Sequence, residues 1–294
     1  MIYEIRLTIT HKYAQRAGNS RHLLRVLPRL FSDRQQMLSS RIDVFPLPDY
    51  SQNRVDFFAN AITTVTHSEP HSEMAITMAC SVGMAPPQIW KDISSRLSQL
   101  PDQVRKCRDL SATSPVHFLG PSYRLAPNAD IAAFARDVTR PDETVAETTI
   151  RLGEALHQAM TFDATATTVH TSAPDAFAQR RGVCQDFTHI MIVALRSLCI
   201  PAGYVSGYLR TLPPPGQPRL EGVDAMHAWV QAWCGPDMGW IEYDPTNATL
   251  VGTDHIVVGY GRDYADVSPI LGRLRLAGAP VSTQTVDVAC IDGP

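Results

Sequence analysis

Cys184 is the residue of this chain best placed for covalent chemistry. It follows Arg181-Gly182-Val183 and opens the run Gln185-Asp186-Phe187-Thr188-His189-Ile190-Met191-Ile192-Val193-Ala194-Leu195. A glycine stop followed by helix-forming, largely apolar residues predicts that the thiol sits at the first turn of a buried helix. Free backbone N–H groups and the positive end of the helix dipole favour an anion there, which pushes a thiol toward the nucleophilic thiolate. A thiolate that attacks an amide also needs a proton carrier. His227, in Asp224-Ala225-Met226-His227-Ala228-Trp229-Val230, supplies an imidazole, and Asp244, in Trp240-Ile241-Glu242-Tyr243-Asp244-Pro245-Thr246-Asn247, supplies a carboxylate to orient it. The chemistry expected is attack by Cys184 to give a thioester, protonation of the leaving amine by His227, and control of the imidazole tautomer by Asp244.

The elements around these residues must bring them together. Ala225 to Trp233 and Trp240 to Asp244 read as a hairpin about Gly235-Pro236-Asp237-Met238-Gly239. If Trp233 opposes Trp240, His227 opposes Thr246 and is diagonal to Asp244; if Cys234 opposes Asp237, His227 opposes Asp244 directly. Both registers put imidazole and carboxylate on one face, and a slip of one residue separates them. The backbone N–H of Cys184 is the first oxyanion donor, with Tyr204, Tyr208 and the Gln185 side chain as candidates for the second. Trp229 shares the face of His227 and is the candidate substrate-binding residue.

Plainer readings exist for several of these groups. Asp186 in the first helical turn is explained as an acceptor for free N–H groups. His189 together with Cys184 and His227 suggests a metal site, yet no fourth ligand has suitable spacing, and a buried His189 bonded to backbone is the simpler expectation. No metal or other cofactor is called for, and no acidic loop suited to calcium is present.

The chain's 294 residues are comfortable for two domains, and 44% hydrophobic with 19% charged residues is ordinary globular composition. A net charge of −3 leaves no basic field for a phosphate backbone, so nucleic acid is not the expected partner. No apolar run approaches the ~20 residues of a membrane span, and the N-terminus lacks the order of a secretory signal, so a soluble cytoplasmic protein is expected. Six cysteines without regular spacing form no disulfide framework or zinc ribbon.

Alternation at Tyr3, Ile5, Leu7 and Ile9 and again from Met74 to Val82, with strand-length runs over 23–30, 41–47 and 54–66, predicts an antiparallel β-sandwich or small barrel. This N-terminal β-rich domain covers 1–110. A crossing region follows over 111–140, with a helical excursion expected at 87–93. Helices are predicted at 130–138, behind a first-turn Pro141 up to Ala159, at 175–180, and from Cys184 to about Leu198. A strand follows at 202–209 and a loop at Pro213-Pro214-Pro215-Gly216.

Four ordered segments carry a family resemblance: Arg181 to Phe187, Ile200 to Tyr208, His227-Ala228-Trp229-Val230, and Trp240 to Asn247. They resemble the core motifs of the transglutaminase-like superfamily, above all its bacterial branch with an N-terminal β domain, whose members are provisionally described as cysteine proteases. His255 to Tyr264 with Ser268-Pro269 resembles that branch too. The resemblance implies an α+β fold with a papain-like core over 141–270, a C-terminal tail over 271–294, and the roles of nucleophile, base and third member on Cys184, His227 and Asp244. It also implies a peptide or protein amide as substrate. Two positions depart from the family pattern: Gly203 stands where arginine is common, and Gln231 where an acidic residue is common.

Overall fold

The computed structural model describes residues 1–31, 33–86, 91–211, 225–275 and 280–291. Strand β1 (Ile2–Leu24) organises the N-terminal half, burying Tyr3, Ile5, Leu7 and Ile9 while Glu4 and Arg6 face solvent. With β2 (Gln35–Phe45), β3 (Tyr50–Val55), β4 (Ala61–His67) and β5 (His71–Met84) it forms an antiparallel sheet of order β2-β5-β1-β4-β3. The first part of β1 pairs with β5 and its end with β4, and the register breaks between Lys12 and Ala17. A bulge of this kind bends a strand, so one long strand carries the sheet round a corner and curls it into a half-barrel.

Two of the expected strands divide differently. The run at 23–30 stops being a strand at Leu24, because the N–H groups of Arg25 and Arg29 donate to the carbonyls of Pro269 and Val257 in the other half of the molecule. The run at 54–66 is a hairpin, turned through residues 56–60 with Ala59 at a positive φ of 59°.

Helices α1 (Leu100–Lys106), α2 (Ala129–Val138) and α3 (Val145–Ala159) follow. Thr144 rather than Pro141 sets the start of α3: its hydroxyl accepts the Glu147 N–H at 3.2 Å, and the Glu147 carboxylate accepts the Thr144 N–H at 2.9 Å. The parallel pair β6 (Thr161–Phe162) and β7 (Arg181–Gly182) brackets α4 (Ala173–Gln179), and α5 (Cys184–Ser197) comes next. Strands β8 (Ala202–Leu209), β9 (Ala225–Trp233), β10 (Trp240–Asp244), β11 (Thr249–Leu250) and β12 (His255–Gly261) make a second antiparallel sheet of order β11-β10-β9-β8-β12. Helix α5 packs on it, Ile190, Met191 and Leu195 lying fully buried in one cluster with Leu152, Leu156 and Val230. After α6 (Tyr264–Val267), β13 (Ile270–Arg275) and β14 (Val281–Cys290) return to pair with β1, so the expected C-terminal tail is two strands of the first sheet.

Residues 91–93 of the expected helical excursion are irregular; Pro87 to Trp90 and the loop at Pro213–Gly216 lie outside the described residues. No helix among the described residues is long and apolar enough to cross a membrane.

The two sheets share structure at the free edge of β12. Gln35 accepts the Val257 N–H and donates to the Val257 carbonyl, both at 2.8 Å, and Asn60 does the same for Tyr260 at 2.8 Å each. Side-chain amides thus satisfy edge-strand groups that would otherwise need another strand. Next to them Arg34 donates to Glu242 Oε1 at 2.6 Å, and Glu242 also accepts Tyr260 Oη at 2.7 Å and Trp229 Nε1 at 2.7 Å. Arg34→Ala would leave the buried Glu242 carboxylate without its cation. It is expected to cost roughly 2–3 kcal/mol in urea denaturation, and adding Glu242→Gln should recover part of that loss.

Candidate active site

The sulfur is placed by the way α5 begins. Asp186 folds back so that its Oδ2 accepts the Val183 N–H at 2.8 Å and the Thr167 hydroxyl at 2.6 Å. A Cβ on Gly182 would lie 2.6 Å from that same oxygen, so glycine is what permits the return. Burial raises the Asp186 pKa, and the bonds from Thr167 and Val183 oppose the rise. Asp186 therefore serves the helix start, as expected, and Cys184 occupies its first turn, half-buried.

The hairpin adopts the first of the two expected registers, Trp240 opposite Trp233 and Tyr243 opposite Val230. His227 Nε2 lies 2.7 Å from Asp244 Oδ2, which leaves Nδ1 as the ring's other nitrogen, and Cys184 is among the groups that act on the ring's charge. Asp244 is wholly buried and saturated with donors. Its Oδ2 also faces His255 Nε2 at 3.2 Å and Asn247 Nδ2 at 2.7 Å, while Oδ1 accepts the backbone N–H groups of Thr246 at 2.9 Å and Asn247 at 3.2 Å. Burial alone would raise the carboxyl's pKa, yet the bonds from His227 and His255 hold it far below the usual carboxylate range. Burial likewise disfavours an imidazolium at His227, and the bonds to Asp244 and Cys184 outweigh it, raising the ring's pKa to about 10. The carboxylate therefore favours the charged form of the ring.

Stability should follow these shifts. The pKa of His227 rises from 6.5 to about 10, so its contribution is fully present below pH ~6.5 and is lost as pH climbs through 10. Asp244 is held below 3.8, so its contribution is present above pH ~4 and disappears on acidification. The stability advantage of the wild type over His227→Gln is expected to be greatest between pH ~4 and ~6.5 and to decay toward pH ~10. A difference that stays flat across the alkaline range in urea titrations would contradict an imidazolium at this position.

The other expected site residues separate. Trp229 is fully buried, packed with Val205 and Val257 and fastened to Glu242, so it cannot meet a substrate. Its indole instead backs the two imidazoles, 6.1 Å from the His227 ring and 5.2 Å from that of His255. Gly207 leaves it room, since a Cβ there would lie 2.3 Å from the indole. Tyr208 is excluded as an oxyanion donor, because its hydroxyl donates to the Val26 carbonyl at 2.7 Å inside the core shared by the two sheets. Gln185 donates to the Val169 carbonyl at 3.2 Å. Tyr204 is buried between the rings of His189 and Tyr264; burial pushes its pKa well up and the Cys184 charge adds to the rise.

His189 takes the Tyr264 N–H on Nε2 at 3.3 Å, and burial pushes its pKa down to about 3, so Cys184, His189 and His227 do not converge as metal ligands. Among the described residues the grouping able to hold a metal ion is His227, Asp244 and His255, whose ligand atoms lie within 4.8 Å of one another. Here the two Nε2 atoms sit at hydrogen-bonding distance from the carboxylate. His255 and Asn247 are the site residues that sequence reasoning missed, although each stood inside a segment carrying the family resemblance.

A cysteine at a helix N-terminus, facing a histidine and an aspartate on an antiparallel sheet, defines the papain-like class of α+β cores. Residues 132–245 match the transglutaminase-like superfamily core, and residues 3–83 match the bacterial transglutaminase-like N-terminal region. An uncharacterized protein of Mycobacterium leprae is 30% identical over 280 residues, covering 91% of this chain and 92% of its own. One from Mycobacterium tuberculosis is 33% identical over 242 residues, 81% of this chain and 77% of its own. The chain belongs to the transglutaminase-like superfamily. A crystal structure from Cytophaga hutchinsonii, provisionally described as a cysteine protease, shares the fold with a TM-score of 0.76 at 21% identity, covering 100% of this chain and 92% of that one.

Proposed function

We propose that the protein is a cysteine-dependent amide hydrolase, a peptidase or amidase, acting through a Cys184 thioester. One observation carries the reading: His227 is held to Asp244 at 2.7 Å through Nε2, and Cys184, at the start of α5, is among the groups that favour the charged ring. Cys184 S⁻ adds to the amide carbonyl, and the oxyanion is received by the Cys184 backbone N–H, with the Tyr204 hydroxyl as second donor. His227 passes its proton to the amine as the C–N bond breaks, leaving the acyl group on sulfur. Neutral His227 then takes a proton from water as the water attacks the thioester, and the acid leaves with the thiolate and imidazolium restored. No metal or cofactor enters these steps. The description of the Cytophaga hutchinsonii protein as a protease supports water as the acyl acceptor.

Mass spectrometry of a peptide mixture incubated with the protein, with and without a primary amine, tests this. Hydrolysis yields cleaved or deamidated peptides whatever the amine. Products that carry the amine's mass would make the protein a transferase of the same chemistry, and no change in any peptide would leave a binding or assembly module with an idle cleft.

A further inference from the structure

Arg124 belongs to the segment that crosses between the sheets, and its surroundings tie it to the nucleophile. Its backbone N–H donates to Asp263 Oδ2 at 2.7 Å, and its guanidinium lies 5.3 Å from the centre of the Tyr264 ring. Burial raises the Tyr264 hydroxyl's pKa, the Arg124 charge opposes the rise and the Cys184 charge adds to it. A second route leads to the same place. Arg124 Nη1 donates to the Val169 carbonyl, the acceptor also used by the side chain of Gln185, the residue directly after Cys184.

What this cation lacks is an anion. Among the described residues Arg34, Arg151 and Arg262 each meet a carboxylate, and Arg124 meets none. Arg196, the other guanidinium of this neighbourhood, spends its nitrogens on the carbonyls of Ala202, Gly120 and Arg262. The nearby carboxylates hold other partners: Asp263 accepts the N–H groups of Arg124 and Ala265, and Asp186 gives Oδ2 to the start of α5 while its Oδ1 has no partner. Arg124 Nε is buried without a partner. A guanidinium has five donors in a fork that fits a carboxylate, and here Nη1 shares the Val169 carbonyl with the residue after Cys184 while Nε has no partner.

We infer that Arg124 is a specificity-determining residue that receives a carboxylate borne by the amide substrate close to the carbonyl that Cys184 attacks. The substrate class is acidic peptides. This rests on the amide chemistry proposed above and adds to it which amides are taken.

The test is a panel of peptides with Glu, Gln or Lys at single positions on either side of the scissile amide, each with a free or an amidated C-terminus. Wild type should favour Glu over Gln by about tenfold or more in kcat/KM, the size expected of a hydrogen bond to a charged group, and mostly through KM. Arg124→Gln should bring that ratio toward one, and Arg124→Glu should turn the preference to Lys. Each ratio is internal to one variant, so a lower folded fraction cancels. The amidated peptides separate a side-chain carboxylate from a terminal one. Equal cleavage of Glu and Gln peptides by wild type, or a preference that survives Arg124→Gln, overturns the role of Arg124 and leaves the hydrolase standing. Failure of wild type to turn over any peptide overturns both.

Discussion

Cys184→Ala is expected to lower turnover of any amide substrate by ~10⁴-fold or more while changing stability by no more than about 1 kcal/mol. The thiol is only half-buried, so its removal costs little packing, while the attacking sulfur is lost outright. The same residue should be alkylated ahead of the other five cysteines by iodoacetamide at pH ~6. Cys184 lies at the start of α5, the setting in which a cysteine is most reactive. Cys80 and Cys234 are buried, and burial pushes both thiols up, Cys80 to about 12. Exposed Cys199 is the internal control. Equal labelling of Cys184 and Cys199 in peptide mapping would remove the ion pair from the mechanism.

Most of this site was legible because local rules fixed it. Gly182 and the apolar run after it place Cys184 at a helix start, and the turn at 235–239 fixes the parity that brings His227 and Asp244 together. The misplaced residues depended on contacts that no local pattern encodes. Trp229 has the right face for a substrate, but an acid two positions from Asp244, held by an arginine from the other half of the chain, draws its indole into the core. Tyr208 has the alternation of Tyr204, yet its end of β8 packs against the N-terminal sheet. Strand β1 failed at Leu24 for the same reason, since its next N–H groups pair across the interface.

The two departures from the family pattern also resolve only in three dimensions. Gly203 and Gln231 face each other across β8 and β9, and a Cβ on Gly203 would lie 2.8 Å from both Gln231 Nε2 and the Phe118 ring. The two departures therefore occur at facing positions, and the Phe118 ring packs where a side chain at 203 would lie.

Asp244→Asn changes one atom and is expected to lower kcat by ~10⁴ with a much smaller change in KM. The reason lies in the donors around it. Oδ1 and Oδ2 together accept from His227, His255, Asn247 Nδ2 and the N–H groups of Thr246 and Asn247. An amide has one acceptor oxygen, so whichever way it turns its NH₂ meets donors. His255 cannot relieve this by moving its proton, because its Nδ1 faces the Gly252 N–H at 3.4 Å. His227 can, by becoming neutral with its proton on the nitrogen that faces sulfur, and that is the wrong tautomer for accepting a proton there. The fold should therefore lose about 2–4 kcal/mol in urea denaturation as well. The pH profile separates this account from simple loosening of the site. With Asp244 present the alkaline limb should follow a His227 pKa of about 10; in the variant that limb should move toward the ~6.5 of a free histidine. A variant slow at every pH but with its alkaline limb unmoved would mean that Asp244 supports the ring without setting its charge.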